Sequence, residues 1–368
     1  MPDFPSFREK DNMFRANSDC GVVVGIGSAL VDILVHEAED FVEKAGAVKG
    51  GMAYVDNRVI DDILMRVSKA PFFVSGGSAC NTVIGVGRLG GRARFVGKSG
   101  NGNLAGLFES DLKNNNVEPL LFKSTALTGR VLSIITPDAQ RSMLTYLGAS
   151  AEAAPSDITT ACFNDAAVVH VEGYLLFNKA LILSALDTAK QVGARISLDL
   201  ASFTVVRESK AFLADIVKQY VDILIANEDE AQAFTGYTDE KDAVKSLAQN
   251  CDIAVLKLGE RGSLIAHDGD ILEIAPRLDA PAVDTTGAGD LWASGFLYGL
   301  VNGLPLEKSG ELGSLCGYEV CRVIGAKISD EGWQRIKAAM GSEFSVDLFP
   351  TDISGKGISD PPEAFCHP

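Results

Sequence analysis

Five short apolar segments, separated by stretches with helical spacing, constrain the fold of this chain more than any other feature. The segments are residues 22–26, 166–171, 196–199, 221–225 and 253–257. Apolar side chains recur at helical spacing over residues 181–189, 211–220 and 231–234. Strands that alternate with helices in this way pair in parallel and carry helices on both faces of their sheet. We therefore predict an α/β fold with a doubly wound, mainly parallel sheet.

Two further segments predict antiparallel strands attached to this core. Residues 128–146 have the pattern of a hairpin, with a turn at 137–140 between two apolar runs. Residues 33–57 contain two strand-like pieces around a polar helical stretch. Such strands suit a small β-sheet lid over the carboxyl edge of the core, where folds of this class bind ligands. The predicted organisation is a flexible N-terminal tail at 1–19, an α/β domain at 20–345 with lid segments at about 33–57 and 118–148, and a peripheral C-terminal segment at 346–368.

Composition narrows the classes of partner. A net charge of -16 at pH 7, with no compensating basic run, argues against general binding to nucleic acids or anionic membranes. The seven cysteines include no Cys-x-x-Cys pair, which favours reduced thiols over a zinc site or a disulfide framework. The first twenty residues contain no signal-peptide core, and no apolar run approaches the ~18 residues that span a bilayer. We expect a cytoplasmic protein with no nucleic-acid or membrane partner.

The chemistry concentrates in a glycine-rich turn, Asp-Thr-Thr-Gly-Ala-Gly-Asp at 284–290, which an apolar helix follows. The backbone N–H groups of Gly287, Ala288 and Gly289 can point together at one anion, with the helix dipole behind them. A transferring phosphoryl group carries its charge on such oxygens. Asp290, at the start of the helix, can take the proton from an attacking hydroxyl. The pattern predicts phosphoryl transfer to an alcohol, and an N-capped helix without catalysis is the alternative.

Two other glycine-rich segments fail the nucleotide-binding motifs that they imitate. Residues 91–99 place five residues between the glycines of a P-loop-like pattern, which requires four. Residues 25–30 begin like a dinucleotide fingerprint, but Leu30 stands at the third glycine position and the chain beyond it is strand-like. The failed fingerprint argues against an oxidoreductase.

The turn at 284–290 with its apolar helix resembles the second signature of the ribokinase family, the PfkB-type carbohydrate kinases, which include adenosine kinase. Residues 75–82, Ser-Gly-Gly-Ser-Ala-Cys-Asn-Thr, resemble the first signature of that family. The resemblance extends from about residue 20 to 340, and residues 49–52 and 141–149 bring it closest to the bacterial adenosine-kinase-like branch. It implies a ribokinase-like fold, ATP as phosphoryl donor and Mg²⁺ as cofactor. A K⁺ site, as in some members, would lie around Asp284 and Gly325.

By this resemblance, one group of residues binds the acceptor substrate: Asp32, Gly76, Gly77, Asn81, Arg141 and Glu172. Asp32 corresponds to a carboxylate that grips two substrate hydroxyls, and as a pure acceptor it suits a vicinal diol. Asn81 offers both a donor and an acceptor to a hydroxyl, and Glu172 resembles a substrate-facing position. Arg141 resembles an arginine that swings onto the transferred phosphate, for which an exposed strand arginine is the alternative.

A second group is implied to bind the nucleotide: Asn227, Lys257, Gly259, Gly262 and Thr285. Residues 227–230 match the family's Asn-x-x-Glu, in which Glu230 organises the water shell of Mg²⁺. Residues 257–262 resemble the family's Gly-x-x-Gly nucleotide loop. Taken alone, these two segments would be interpreted as a charged helix start and a β-turn.

The acceptor itself stays open between two classes. A ribonucleoside needs an apolar or aromatic slot for its base, for which Phe41 and Met52 are candidates. A sugar or sugar phosphate needs polar partners, which Asp32 and Glu172 can supply. We predict an ATP-dependent kinase of an adenosine-like ribonucleoside, with a sugar kinase of the same family as the alternative. A non-catalytic binding protein would be expected to lose the base or the glycine turn, and both are present. A homodimer through the lid is a further expectation, because lid strands pair between subunits in some members of the family.

Overall fold

The computed structural model describes residues 21–138, 140–277 and 279–343. The strands within them are β1 (Val22–Ile26), β2 (Leu30–His36), β3 (Met52–Tyr54), β4 (Phe72–Gly76), β5 (Ala93–Asn101), β6 (Val117–Leu127), β7 (Gly129–Ile135), β8 (Arg141–Tyr146), β9 (Ala166–Glu172), β10 (Arg195–Asp199), β11 (Ile223–Asn227), β12 (Ile253–Lys257), β13 (Ser263–His267) and β14 (Asp270–Ile274). The α-helices are α1 (Glu39–Lys44), α2 (Asn57–Leu64), α3 (Ser78–Leu89), α4 (Asn103–Asn114), α5 (Thr160–Phe163), α6 (Lys179–Gln191), α7 (Phe203–Tyr220), α8 (Glu228–Thr235), α9 (Glu240–Leu247), α10 (Ala288–Val301), α11 (Leu306–Val320) and α12 (Asp330–Glu343).

A large sheet of nine strands has the order β14-β13-β12-β11-β10-β9-β1-β5-β6. Pairing is parallel from β12 to β6, and β13 and β14 extend the sheet in antiparallel fashion. Successive residues of β11 alternate between two core clusters, with Leu224 in one and Ile225 in the other. Helix α6 contributes to the first cluster, and α3 and α10 contribute to the second. Because both faces are covered, the central strands are continuously apolar, and the predicted doubly wound fold is confirmed.

A small sheet of five strands has the order β3-β8-β7-β2-β4. One of its faces packs Ile33, Leu132 and Leu144 against α1 and α2, which supply Val42 and Ile60. The strand registers pair Asp32 with Val131 and Ile33 with Leu132. Because successive side chains of a strand point to opposite faces, Asp32 lies on the face opposite to Ile33 and Leu132. Arg141, Met52 and Tyr54 share the face of Asp32. Thr145 pairs with Val131 and with Tyr54, and Arg141 and the partner of Met52 lie an even number of residues from Thr145 on β8.

The two sheets divide the chain differently from the predicted lid boundaries. Residues 117–127, inside the predicted lid segment 118–148, form β6 and pair along β5 in the large sheet. Residues 72–76, which the sequence analysis left outside the lid, form β4 and pair with β2 in the small sheet. Strand pairing over tens of residues is a tertiary contact, and local pattern does not specify it.

The predicted tail at 1–19 and the predicted segment at 346–368 lie outside the described residues. Within the part of the chain that the structure describes, no helix combines the length and apolar character needed to cross a membrane.

Candidate active site

The glycine-rich turn sits where α10 begins, and α10 packs between α3 and α11. Gly287 caps the helix with a φ of 75°, and a Cβ there would lie 2.6 Å from the Ala326 Cβ, so only glycine fits. The Ala288 N–H donates to the Thr285 carbonyl at 3.1 Å, so this predicted anion donor is engaged within the turn. The N–H groups of Gly289 and Asp290 lie in the first helical turn, where no helical acceptor exists. These two N–H groups are therefore left without a helical acceptor and are available to an anion.

The carboxylate of Asp290 joins the two signature segments. Its Oδ1 accepts a hydrogen bond from the Ser78 hydroxyl at 2.7 Å, and its Oδ2 accepts one from the Asn81 side-chain amide at 2.9 Å. Burial raises the pKa of Asp290 above its ordinary value, although these two hydrogen bonds oppose the shift. A raised pKa makes the carboxylate a stronger proton acceptor, as general-base catalysis requires.

Asn81 contacts Asp290 directly. Its amide nitrogen donates to Asp290, while its Oδ1 is buried without a hydrogen-bond partner among the described residues. The predicted contact with a substrate hydroxyl is therefore left to Oδ1, the one free polar atom of this side chain. Ser78, which the sequence analysis quoted without a role, is the second group that orients Asp290.

Asp32 lies on β2, on the face of the small sheet away from α1 and α2. A Cβ on Gly76 would lie 2.4 Å from the Asp32 carboxylate, so the glycine makes room for this side chain. Gly77 follows as the N-cap of α3. Burial raises the pKa of Asp32 to about 6, while the nearby cations Arg141 and Lys327 act against that shift. The first signature and Asp32 are thus in contact.

Glu172 differs from its predicted substrate-facing placement. The side chain is buried, with 1% of its surface exposed. Its Oε1 accepts from the Ser28 N–H at 2.8 Å and its Oε2 from the Ala79 N–H at 3.2 Å. Burial raises its pKa to about 7. Glu172 therefore holds the backbone just after β1 and at the start of α3.

Arg141 is not an exposed strand arginine. It reaches from β8 to the Asp284 carboxylate, and both side chains are less than 10% exposed. Asp284 also accepts hydrogen bonds from the Thr286 N–H at 3.0 Å and the Gly325 N–H at 2.8 Å. The small sheet is thereby tied to the glycine-rich turn. The Arg141 guanidinium also places a positive charge in the loop where the resemblance implied K⁺.

A cavity of about 790 Å³ is lined by the residues that were predicted to bind the nucleotide. Its lining includes all five residues predicted to bind the nucleotide: Asn227, Lys257, Gly259, Gly262 and Thr285. Ala288 and Gly289 of the glycine-rich turn line the same cavity. The turn therefore borders a space large enough for a nucleotide, and Asp290 links it to the acceptor motif.

Lys257 brings a cation to the start of α10. Its ammonium nitrogen lies 2.8 Å from a carboxylate oxygen of Asp199, and a Cβ on Gly289 would lie 2.9 Å from that nitrogen. Burial disfavours the charged amine, yet Asp199 and Glu230 raise the pKa of Lys257 above its ordinary value. The ammonium group is therefore charged beside Gly289, where it adds to the helix dipole in attracting an anion.

Glu230 forms a capping box with Asn227 at the start of α8. The Asn227 N–H and side-chain amide each donate to Glu230 at 2.8 Å, and the Glu230 N–H donates to the Asn227 side chain at 2.9 Å. Burial and the nearby Asp199 raise the pKa of Glu230 to about 7. A nearby cation would stabilise the charged form of a carboxylate in this environment.

Mg²⁺ bound through water fits these residues better than direct ligation. The described residues contain no group of three or more metal-ligating side chains that could hold an ion. Mg²⁺ keeps several waters and is usually held by one or two carboxylates together with substrate phosphates. Glu230 is one such carboxylate, whose charge Asp199 disfavours, and the preceding residues Asn227, Glu228 and Asp229 line the cavity.

The sequence signature of the pfkB family carbohydrate kinase matches residues 53–332. The chain belongs to the pfkB family. It is 29% identical over 255 residues to the 5-dehydro-2-deoxygluconokinase of Geobacillus thermodenitrificans (strain NG80-2), which covers 65% of this chain and 76% of that protein. It is 28% identical over 253 residues to probable fructokinase-4 of Arabidopsis thaliana, with 65% of this chain and 77% of that protein covered.

Two solved structures share the fold of this pfkB-family chain. The adenosine kinase from Sinorhizobium meliloti superposes with a TM-score of 0.80 at 31% identity, covering 87% of this chain and 100% of that chain. A probable sugar kinase protein from Rhizobium etli CFN 42 superposes with a TM-score of 0.80 at 32% identity, covering 87% of this chain and 98% of that chain. The protein is thus a sugar or nucleoside kinase, a phosphotransferase with an alcohol acceptor, and its family implies ATP as the donor.

Sequence reasoning missed Asp199 in this kinase site. The residue ends β10, an interior strand of the parallel sheet, and forms the ion pair with Lys257. A polar residue at the carboxyl end of such a strand is a signal in itself, because ligands of open α/β sheets bind at that edge. Asp199 was predicted as a strand end and was given no functional role.

Proposed function

We propose that this pfkB-family kinase transfers the γ-phosphoryl group of ATP to a hydroxymethyl oxygen of an adenosine-like ribonucleoside. One observation carries the proposal. The Asp290 carboxylate is held by Ser78 and Asn81 of the acceptor motif, while the adjacent Gly289 lines the nucleotide-sized cavity. A base in this position faces an alcohol on one side and a phosphoryl donor on the other.

The proposed reaction places each group in one role. The acceptor hydroxyl gives its proton to Asp290 as its oxygen attacks the γ-phosphorus, and the bond from that phosphorus to the bridging oxygen of ADP breaks. The N–H groups at the start of α10 and the Lys257 ammonium stabilise the negative charge on the transferring oxygens. Mg²⁺ supplies charge neutralisation at the phosphates when bound. Glu230 would hold its water shell, and Asn227 and Thr285 would lie beside the nucleotide.

The small sheet supports a ribonucleoside as acceptor. Its face away from α1 and α2 carries Asp32 together with Met52 and Tyr54, which are 45% and 54% exposed. Burial, followed by the charges of Glu172 and Glu208, raises the pKa of Tyr54. Asp32 would grip the ribose diol, and the apolar side chains would cover the base. Phe41, the other candidate for the slot, packs instead against the opposite face beside α2.

A sugar is the second candidate acceptor. The similarity to a 5-dehydro-2-deoxygluconokinase and to a probable fructokinase favours it. Asp32 would then bind a sugar diol in the same way, and the apolar pair Met52 and Tyr54 would have no base to cover.

An ADP-release assay with Mg-ATP decides between the two. The panel contains adenosine, other nucleosides, ribose, fructose, 2-keto-3-deoxygluconate and 5-dehydro-2-deoxygluconate. We expect adenosine to give the highest kcat/KM, and ADP release with each acceptor to depend on Asp290. A sugar whose kcat/KM exceeds that of adenosine tenfold would reject the ribonucleoside in favour of the second candidate.

We also propose a homodimer through the small sheet, whose edge strands among the described residues are β3 and β4. Phe72 on β4 is 64% exposed, and edge strands offer unpaired backbone groups to a partner. Light scattering after size exclusion should give twice the mass of the chain, and Phe72→Glu should return the protein to one chain mass.

A further inference from the structure

Three consecutive residues in the loop after α11 contact three separate parts of the site. The Gly325 N–H donates to the Asp284 carboxylate at 2.8 Å. Ala326 fills the space beside Gly287 that a side chain there would need. Lys327 forms an ion pair with Asp111 on α4. We call residues 325–327 the bridge segment.

Asp111 carries this contact onward to the acceptor motif. Its Oδ2 accepts hydrogen bonds from the Ser75 hydroxyl and from the Ser75 N–H, the latter at 3.2 Å. Burial disfavours the charge of Asp111, but the hydrogen bonds from Lys327 and Ser75 hold its pKa below the ordinary value. Ser75 directly precedes Gly76, which makes room for the Asp32 carboxylate. Lys327 is therefore connected to the Asp32 carboxylate through the side chains of Asp111 and Ser75 and the backbone of Gly76.

The bridge segment also meets the opposite end of the small sheet. Asp284, which the Gly325 N–H contacts, is bound by Arg141 of β8, whereas Ser75 belongs to β4. Strand β4 is an edge of the small sheet, and β8 lies next to the other edge, β3. One short segment thus fixes both sides of the small sheet against the glycine-rich turn.

We propose that Lys327 is a positioning residue for the acceptor alcohol, acting through Asp111 and Ser75 on the turn that accommodates Asp32. The proposal rests on the proposed role of Asp32 as the acceptor-binding group. It does not depend on whether that acceptor is a nucleoside or a sugar. Lys327 does not line the nucleotide cavity, so its removal acts on the acceptor side.

The test is steady-state kinetics of Lys327→Met with the acceptor that has the highest kcat/KM in the panel. A charged hydrogen-bond partner is lost, so we expect the acceptor KM to rise by about 10–100-fold. The KM for ATP should change less than about twofold. Lys327→Arg should restore most of the acceptor affinity, and Asp111→Asn should reproduce the effect of Lys327→Met.

Lys113→Met is the matched control. Lys113 lies on α4 near Asp111 and, like Lys327, pairs with a carboxylate, Glu109 at 2.8 Å, but among the described residues that carboxylate has no hydrogen bond to Ser75. This variant should keep the acceptor KM of the unmodified protein. Equal changes in the KM values for acceptor and ATP, without rescue by arginine, would overturn the proposal. An unchanged acceptor KM in a folded Lys327→Met variant would do the same.

A pH profile separates positioning from loss of fold. The charged groups that face Asp32 are Arg141, Asp290 and Lys327. Removing the Lys327 cation disfavours the Asp32 carboxylate, so the acid limb of kcat/KM for the acceptor should move to higher pH in Lys327→Met. An unmoved limb counts against the proposal. Activity of the unmodified protein with sugars alone would instead reject the ribonucleoside proposal and leave this test in force with the best sugar.

Discussion

The Lys257 ammonium nitrogen lies 2.8 Å from the Asp199 carboxylate, and the two residues end strands that are separated in the sheet by β11. The pair is buried, with 14% and 6% of the side-chain surfaces exposed. Asp199 keeps Lys257 charged, and the ammonium group stands beside Gly289 in the first turn of α10. The Lys257 cation and the N-terminus of α10 therefore lie at the same point of the cavity, where both attract an anion.

Removal of this cation should weaken catalysis. We expect Lys257→Met to lower kcat/KM for ATP by about 10²–10³, the usual cost of one preorganised donor to transition-state charge. Because the single change leaves Asp199 buried without its partner, Lys257→Met combined with Asp199→Asn provides a comparison with a smaller stability loss. Lys241→Met, which breaks a surface pair with Glu273, is the control. Activity within threefold of the unmodified protein in the double variant would contradict the role of Lys257.

The variant Asp290→Asn tests whether Asp290 is the general base. Turnover should fall by roughly 10²–10⁴ while the affinity for ATP stays nearly unchanged. The fold should tolerate the change, because the unpartnered Oδ1 of Asn81 can accept from the new amide after a rotation of the Asn81 side chain. Calorimetric titration with a non-hydrolysable ATP analogue measures the affinity. The exposed Asp62→Asn is the matched control, and undiminished turnover in Asp290→Asn would reject the base.

The resemblance to the ribokinase family grouped the residues on the nucleotide side of the predicted site, and the structure brings these residues together around one cavity. Lys257 to Gly262 and Asn227 follow two neighbouring strands, β12 and β11, so the fold class alone brings them to one edge. Their neighbourhood follows from chain order and parallel pairing. The acceptor motif was predicted on the same grounds, and its contact with Asp32 follows from the lack of a side chain at Gly76.

Side-chain partners could not be predicted in the same way. Glu172 and Asp32 both are acids on strands, yet one binds backbone N–H groups in the core and the other faces away from the helices of the small sheet. Phe41 has an aromatic side chain of the kind that binds a nucleoside base, but on α1 it packs against the core of the small sheet. These outcomes depend on register and helix orientation, which only the assembled fold determines.

The ion pair between Arg141 and Asp284 should stabilise the contact between the small sheet and the glycine-rich turn. Breaking a buried ion pair usually costs 3–5 kcal/mol, but Asp284 keeps hydrogen bonds from Thr286 and Gly325. We therefore expect Arg141→Met to lower the free energy of unfolding by about 1–3 kcal/mol. Urea denaturation of Arg141→Met, Asp284→Asn and the double variant gives the coupling energy. Additive effects of the two single changes would show that the pair contributes no stability.

The pH dependence of stability should carry the signature of two buried carboxyl groups. Burial raises the pKa of both Glu172 and Glu230 from 4.5 to about 7. The folded protein therefore binds more protons than the unfolded chain, so the stability contributed by each group is complete below about pH 4.5 and is lost as the pH rises through 7. His170 acts in the opposite sense at lower pH, because burial lowers its pKa from 6.5 to about 4.

Between about pH 6.5 and 8 the folded-state His170 stays neutral, while in the unfolded chain it loses its remaining half proton, which adds roughly 0.4 kcal/mol to the unfolding free energy. The two carboxyl groups act against this gain and still dominate the slope. Each should remove roughly 0.8 kcal/mol of unfolding free energy across this window. Urea denaturation at intervals of half a pH unit measures the curve for the unmodified protein and for Glu172→Gln. The variant should show less than half the slope, since Glu230 still titrates while His170 still acts against it. Parallel curves for the two proteins would mean that Glu172 is not protonated near neutral pH in the folded state.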